Sequence, residues 1–101
     1  MIRHIVMFKF HEEADGRSKA ENLAIAKDML EKLMGVVPTL RSMDVQINDP
    51  AASKDNYDII LTAEYDDMDG LNAYVVHPAH KEVGQFMGKV RISRASIDYE
   101  F

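Results

Sequence analysis

IRHIVMFKF, residues 2–10, decides the architecture, because neither of its faces can be left to water. Even positions give Ile2, His4, Val6, Phe8 and Phe10; odd positions give Arg3, Ile5, Met7 and Lys9. A period of two makes this a strand. Apolar side chains on both sides of a strand call for cover on both sides. The rest of the chain has to provide that cover.

One covering layer is legible directly downstream. HEEADGR (11–17) is a polar turn, and residues 18–35 have the spacing of a helix. Ser18 with Glu21 three residues on forms a capping box at its start. Leu23, Ala26, Leu30, Leu33, Met34 and Val37 recur at helical spacing, while Lys19, Asn22, Lys27, Asp28, Glu31 and Lys32 give a polar side. Gly35 and Pro38 end it. Residues 41–47 alternate as a half-buried strand, and NDPAASKDN (48–56) is a loop by composition. Residues 57–65 form a third strand, with Tyr57, Ile59, Leu61, Ala63 and Tyr65 on one face.

The acidic DDMDG (66–70) opens a second helix, where negative charge suits the positive end of the dipole. Pro78 disfavours a helical conformation at His77 and is itself a favoured first helical residue. One helix therefore stops near Val76 and another begins at Pro78. Residues 92–101 form a last strand, with Ala95, Ile97, Tyr99 and Phe101 alternating against Arg94, Ser96, Asp98 and Glu100.

The order is β-α-β-β-α-β, an α+β, ferredoxin-like arrangement: a four-stranded antiparallel sheet with its helices on one face. The opposite face would carry Ile5, Met7, Ile60, Ile97 and Tyr99, too much contiguous apolar surface for a lone subunit. A homodimer through the sheet face supplies the second covering layer.

Composition narrows the partners. The chain has 101 residues, the length of a single domain spanning 1–101, with 47% apolar and 29% charged residues. Its formal net charge of −5 argues against nucleic acid and anionic membranes. The absence of cysteine excludes disulfides, thiolate zinc sites, iron–sulfur clusters and a cysteine nucleophile, and fits a reducing compartment. No apolar run approaches the roughly 20 residues that span a bilayer, and the first residues read as a strand rather than a leader. The expectation is a cytoplasmic protein.

Three stretches in order, HIVMFKF (4–10), HPAH (77–80) after a tyrosine-bearing helix, and IDYEF (97–101), resemble the stress-responsive A/B barrel (Dabb) family over essentially the whole chain. That resemblance implies a dimeric α/β barrel built from ferredoxin-like subunits, and no particular reaction. In a plant polyketide cyclase of the family, a tyrosine and the second histidine of the HPAH-type motif carry an aldol condensation. Those roles fall here on Tyr74 and His80, and a pocket-bordering histidine of the first strand corresponds to His4. Arg94 and Ser96 stand where the cyclase has apolar residues, and Ala26 and Leu30 where it has aromatics. Both departures count against a long-tailed aromatic substrate.

The residues alone supply the same chemistry. His80, near the start of a helix and packed by Val83 and Met87, is held neutral by the dipole and by burial, as a general base requires. Tyr74 can donate its O–H to a carbonyl or a developing enolate. Against this stands the plainer reading that His80 caps a helix and Tyr74 fills a core. His4, between Ile2 and Val6, is either a satisfied core histidine or a pocket wall facing His80. The proposed cavity is lined by His4, Val6, Phe8, Leu30, Leu61, Val83 and Arg94. In the pocket, Arg94 would favour a carboxylate-bearing ligand; with the register off by one it faces the partner or solvent. His77 serves the helix break, and His11 belongs to a polar turn. His77 and His80 lie three apart, but Pro78 interrupts their shared face, so no metal and no cofactor are expected.

Three functions are compatible with these residues. One is a cofactor-free acid–base enzyme or binder acting on a small organic carbonyl or aromatic compound. Another is a non-catalytic, stress-associated dimer. The third, by fold analogy, is a cofactor-independent monooxygenase or isomerase. A cavity of roughly 300 Å³ or more on which His80 and Tyr74 converge marks an enzyme or binder; a filled interior marks a structural protein.

Overall fold

The computed structural model describes residues 1–101. Its elements run β1 (Ile2–Phe10), β2 (Glu13–Ala14), β3 (Arg17–Ser18), α1 (Lys19–Glu31), β4 (Ser42–Ile47), β5 (Ile59–Tyr65), α2 (Met68–Val76), α3 (Pro78–Val90) and β6 (Arg91–Glu100). The four long strands form one antiparallel sheet in the order β4-β5-β1-β6, with β1 inside it. Burial alternates along β1: the even residues are buried and the odd ones half-buried.

Val6, Phe8 and Phe10 share one core with Leu23, Ala26 and Leu30 of α1 and with Val83, Met87 and Val90 of α3. Each such large apolar side chain contributes about 1.5–3 kcal/mol on leaving water. From β5, Ile59, Leu61, Ala63 and Tyr65 face the same core, as the alternation from 57 to 65 predicts. The helices stop short of β6, which is exposed along most of its length.

The other sheet face lacks cover within the chain. Ile5, Met7 and Ile60 are half-buried there, and Ile97 is 60% exposed. The Arg3 guanidinium bonds Glu64 at 2.7 Å, donates to the Tyr99 hydroxyl at 3.2 Å and stacks 3.9 Å from the Phe101 ring. This pairing holds the Glu64 carboxyl below its usual range, through the Arg3 bond first and a bond from Ser42 second.

Several local expectations shift. The polar turn at 11–17 contains a small hairpin, β2–β3. Asp15 (φ 54°) and Gly16 (φ 77°) are both left-handed, the pattern of a type I′ turn, for which Asp-Gly is the sequence signal. Asn22, read as part of the polar side, is fully buried, and its Nδ2 donates to the Ala14 carbonyl at 3.0 Å, tying α1 to the hairpin. The helix expected to reach 35 ends at Glu31 and loosens into turns that Gly35 closes at φ 84°. Leu33 and Val37 remain buried beyond it, while Met34, expected in the core, is exposed.

The capping box at α1 is present in full: Ser18 Oγ accepts from the Glu21 N–H at 3.2 Å, and Glu21 Oε1 accepts from the Ser18 N–H at 3.2 Å. Ser18→Ala should lower unfolding stability by about 1 kcal/mol, read as a shift of the urea midpoint at constant slope. An unchanged midpoint would show that the hairpin alone holds this end of α1.

Candidate functional site

The space between sheet and helices narrows over the middle of β1. His4, Val6 and Phe8 form its floor, with Leu61, the β5 partner of Val6. Leu30 of α1, Tyr74 of α2, and His80, Val83 and Met87 of α3 form its roof. Arg91 and Arg94 of β6 stand at its open side. The cavity volume is about 130 Å³. Every residue named from the sequence as catalytic or lining borders this one cavity. It is neither filled nor as large as the roughly 300–1,000 Å³ of pockets that take drug-sized ligands. Larger hollows, about 560 Å³ beside the start of α1 and about 470 Å³ at the rim of the open sheet face, hold no histidine.

The helix break positions His80. At His77 the backbone is extended (φ −65°, ψ 136°), and its Nδ1 accepts the Ala79 N–H at 3.1 Å, so His77 caps α3. Pro78 opens the helix, and His80 is its third residue. His80 Nδ1 lies 3.1 Å from the Val75 carbonyl, one of the acceptors that the end of α2 leaves free. A carbonyl can only accept, so Nδ1 carries the proton and Nε2 holds the lone pair of the neutral ring. Desolvation is the main influence lowering the His80 pKa; the Val75 bond opposes it, and positive charge at His4 and Arg94 adds to it.

The His80 and Tyr74 rings lie 4.4 Å apart, centre to centre, at 48°. Tyr74 is 1% exposed, and burial pushes its phenol up to about 12, so at neutral pH it is a donor and not a base. Its ring packs 5.2 Å from that of Tyr65. The Tyr65 hydroxyl is buried without a well-formed hydrogen bond, and its neighbour is the Tyr74 phenol. Burial raises its pKa well above the ordinary range. A buried phenol without a well-formed bond is uncommon.

His4 completes the cluster. Its ring sits 6.4 Å from those of both Tyr65 and Tyr74, and its Nδ1 bonds the Asp98 carboxylate across the β1–β6 ladder. The carboxylate fixes the proton on Nδ1, as second partners of catalytic histidines do. Asp98, Tyr65 and Arg91 were not singled out from the sequence. The parity of the last strand already set Asp98 on the side away from Ile97 and Tyr99, but only the pairing of β6 with β1 brings it opposite His4. Arg94 lies opposite Phe8, which resolves its orientation toward the cavity.

Known proteins place the chain. A curated relative, an uncharacterised protein of Streptomyces coelicolor, is 32% identical over 103 residues, covering all of both chains. A dimeric ferredoxin-like protein of unknown function from Bacteroides fragilis is 31% identical, with a TM-score of 0.80 over 99% of this chain and 95% of that one. A dimeric ferredoxin-like protein of unknown function from Thermobifida fusca is 25% identical, with a TM-score of 0.82 over 99% and 90%. The model of the stress responsive A/B barrel domain, Dabb, matches residues 2–101. With a family match over residues 2–101 and a full-length relative at 32% identity, this chain belongs to the stress responsive A/B barrel (Dabb) family.

Proposed function

We propose that this protein is a cofactor-free acid–base catalyst of small carbonyl compounds, working as a cytoplasmic homodimer. The observation that carries the reading is the convergence of Tyr74 and His80, rings 4.4 Å apart, on one cavity whose floor holds the His4–Asp98 pair. His80 Nε2 takes a proton from the carbon beside a carbonyl. The electron pair moves to the carbonyl oxygen, which accepts a hydrogen bond from the Tyr74 O–H. The imidazolium then returns a proton to carbon or to a leaving oxygen. His4, held by Asp98, keeps the floor polar. A volume of about 130 Å³ restricts the substrate to a few non-hydrogen atoms and supports neither a long-tailed polyketide nor a large aromatic.

The dimer rests on the uncovered face. Ile97 is 60% exposed in the single chain, beside Ile5 and Met7 on the central strand. The Bacteroides fragilis and Thermobifida fusca relatives are dimeric. Sedimentation at micromolar concentration should give the mass of two chains. Ile97→Glu, which puts a carboxylate in the middle of that face, should give one. A well-folded wild-type monomer at that concentration would exclude the sheet-face dimer.

Proton exchange tests the chemistry without knowledge of the natural substrate. In D₂O, the protein should speed exchange at the central carbon of 2,4-pentanedione beyond an equal concentration of imidazole, followed by NMR. His80→Ala and Tyr74→Phe should each slow it by about a hundred-fold or more. Variants that exchange at the wild-type rate would remove both residues from the mechanism.

The acid limb follows from the sign of the His80 shift. Its folded pKa is lowered, so the neutral base persists to more acidic pH than for a free imidazole. Exchange should therefore hold its plateau through the ordinary imidazole range and fall only below it. A limb at or above the imidazole value would contradict the half-buried, neutral His80.

A further inference from the structure

β6 turns a polar row toward the helices: Asp98 opposite His4, Ser96 opposite Val6 and Arg94 opposite Phe8. Between Lys9 and Phe10 the register shifts, and Arg91 comes opposite Phe10. Arg91 and Arg94 are three apart, so regular alternation would send them to opposite faces. The irregularity, with Ile92 as the extra residue, returns both to the helix side, and both border the cavity. Bulges are a common means of re-aiming a side chain beside a site.

These two side chains also differ from the other arginines of the chain, which has five. Arg3 holds Glu64, Arg17 holds Asp15 and Arg41 holds Asp66. Arg94 donates only to the Ser96 hydroxyl, at 3.1 Å, and Arg91 takes part in none of the ion pairs. In a chain with 17 acidic residues and 12 basic ones, the two guanidinium groups without a carboxylate are the two at the cavity.

The cavity therefore has a polarity. The Asp98 carboxylate lies at the His4 end, and two unpaired guanidinium groups lie at the Phe8–Phe10 end. At the first the carboxylate is already paired with His4, and an anion is drawn to the second. The Ser96 contact turns the Arg94 guanidinium back toward the middle of the floor. From there its charge is felt at His80.

We infer that the ligand is a small oxo acid, its carboxylate held by Arg94 and Arg91 and its reacting carbon beneath His80 and Tyr74. The position of the reacting carbon rests on the acid–base reading above; the carboxylate rests on the arginines. A planar guanidinium matches a carboxylate by paired N–H bonds, a geometry that lysine lacks. A chain of three or four carbons suits the volume of about 130 Å³.

Acetoacetate and acetoacetamide have nearly the same shape and differ in charge. Calorimetric titration of the wild-type protein at low salt should show acetoacetate binding at least about ten-fold more tightly than the amide. Arg94→Gln and Arg91→Gln should each remove most of that preference, weakening acetoacetate far more than the amide; both side chains are exposed, so neither change threatens folding. Equal affinity for the two compounds, no binding of either, or an acetoacetate affinity unmoved by both substitutions would overturn the assignment. Exchange on uncharged 2,4-pentanedione separates this from the catalytic reading. Exchange without charge-selective binding removes the carboxylate alone. Charge-selective binding without exchange keeps the oxo acid as a ligand and removes the catalysis.

Discussion

Strand β1 lies between two antiparallel neighbours with apolar side chains above and below, so a second layer is required on each side of it. On one side Val6, Phe8 and Phe10 meet α1 and α3 in the main core. On the other, Ile5 and Met7 pair across to Ile97 and Ala95 and find no cover within the chain. The apolar area on that second face is of the kind that subunits bury against each other. The same constraint generates the cavity. The helices cover one face of the sheet but leave β6 exposed along most of its length, and the cavity opens on that side.

The break between α2 and α3 turns a local sequence rule into site geometry. A proline after His77 removes a helical bond and frees the carbonyls at the end of α2. One of those carbonyls, Val75, is the partner that sets the His80 tautomer. His77 satisfies the new helix start instead of reaching the cavity. Of two histidines three residues apart, one caps the new helix and the other borders the cavity.

The site also mixes closed and open walls. Tyr74 and Tyr65 sit in the dry interior, where a phenol stays protonated and a hydroxyl without a well-formed bond is a standing polar cost. Asp98, Ser96, Arg91 and Arg94 sit on an edge strand reached by water, where charge is cheap to keep. Hydrogen bonds gain strength in the first environment, and charged groups stay accessible to water in the second.

Much of this was legible in the residues. Period-two and helical spacing yielded every long element, the Pro78 break and the capping box at Ser18, because these depend on neighbours within a few positions. The same parity separated the cavity face from the dimer face and placed His4, Val6, Phe8 and Leu61 on one side. Asn22 and Met34 were misplaced because which helical residue is buried depends on the hairpin and turns that pack beside it. Asp98 against His4 and the two arginines on one face were not legible. Each depends on pairing between segments about ninety residues apart, or on a one-residue register shift that no local pattern encodes. Sequence alone determined the order of elements and the residue types available for chemistry, since short-range sterics and hydrophobic period are written in adjacent positions. Tertiary structure alone decided that Asp98 and Arg91 join those side chains at the cavity, since strand register is settled only when distant segments meet.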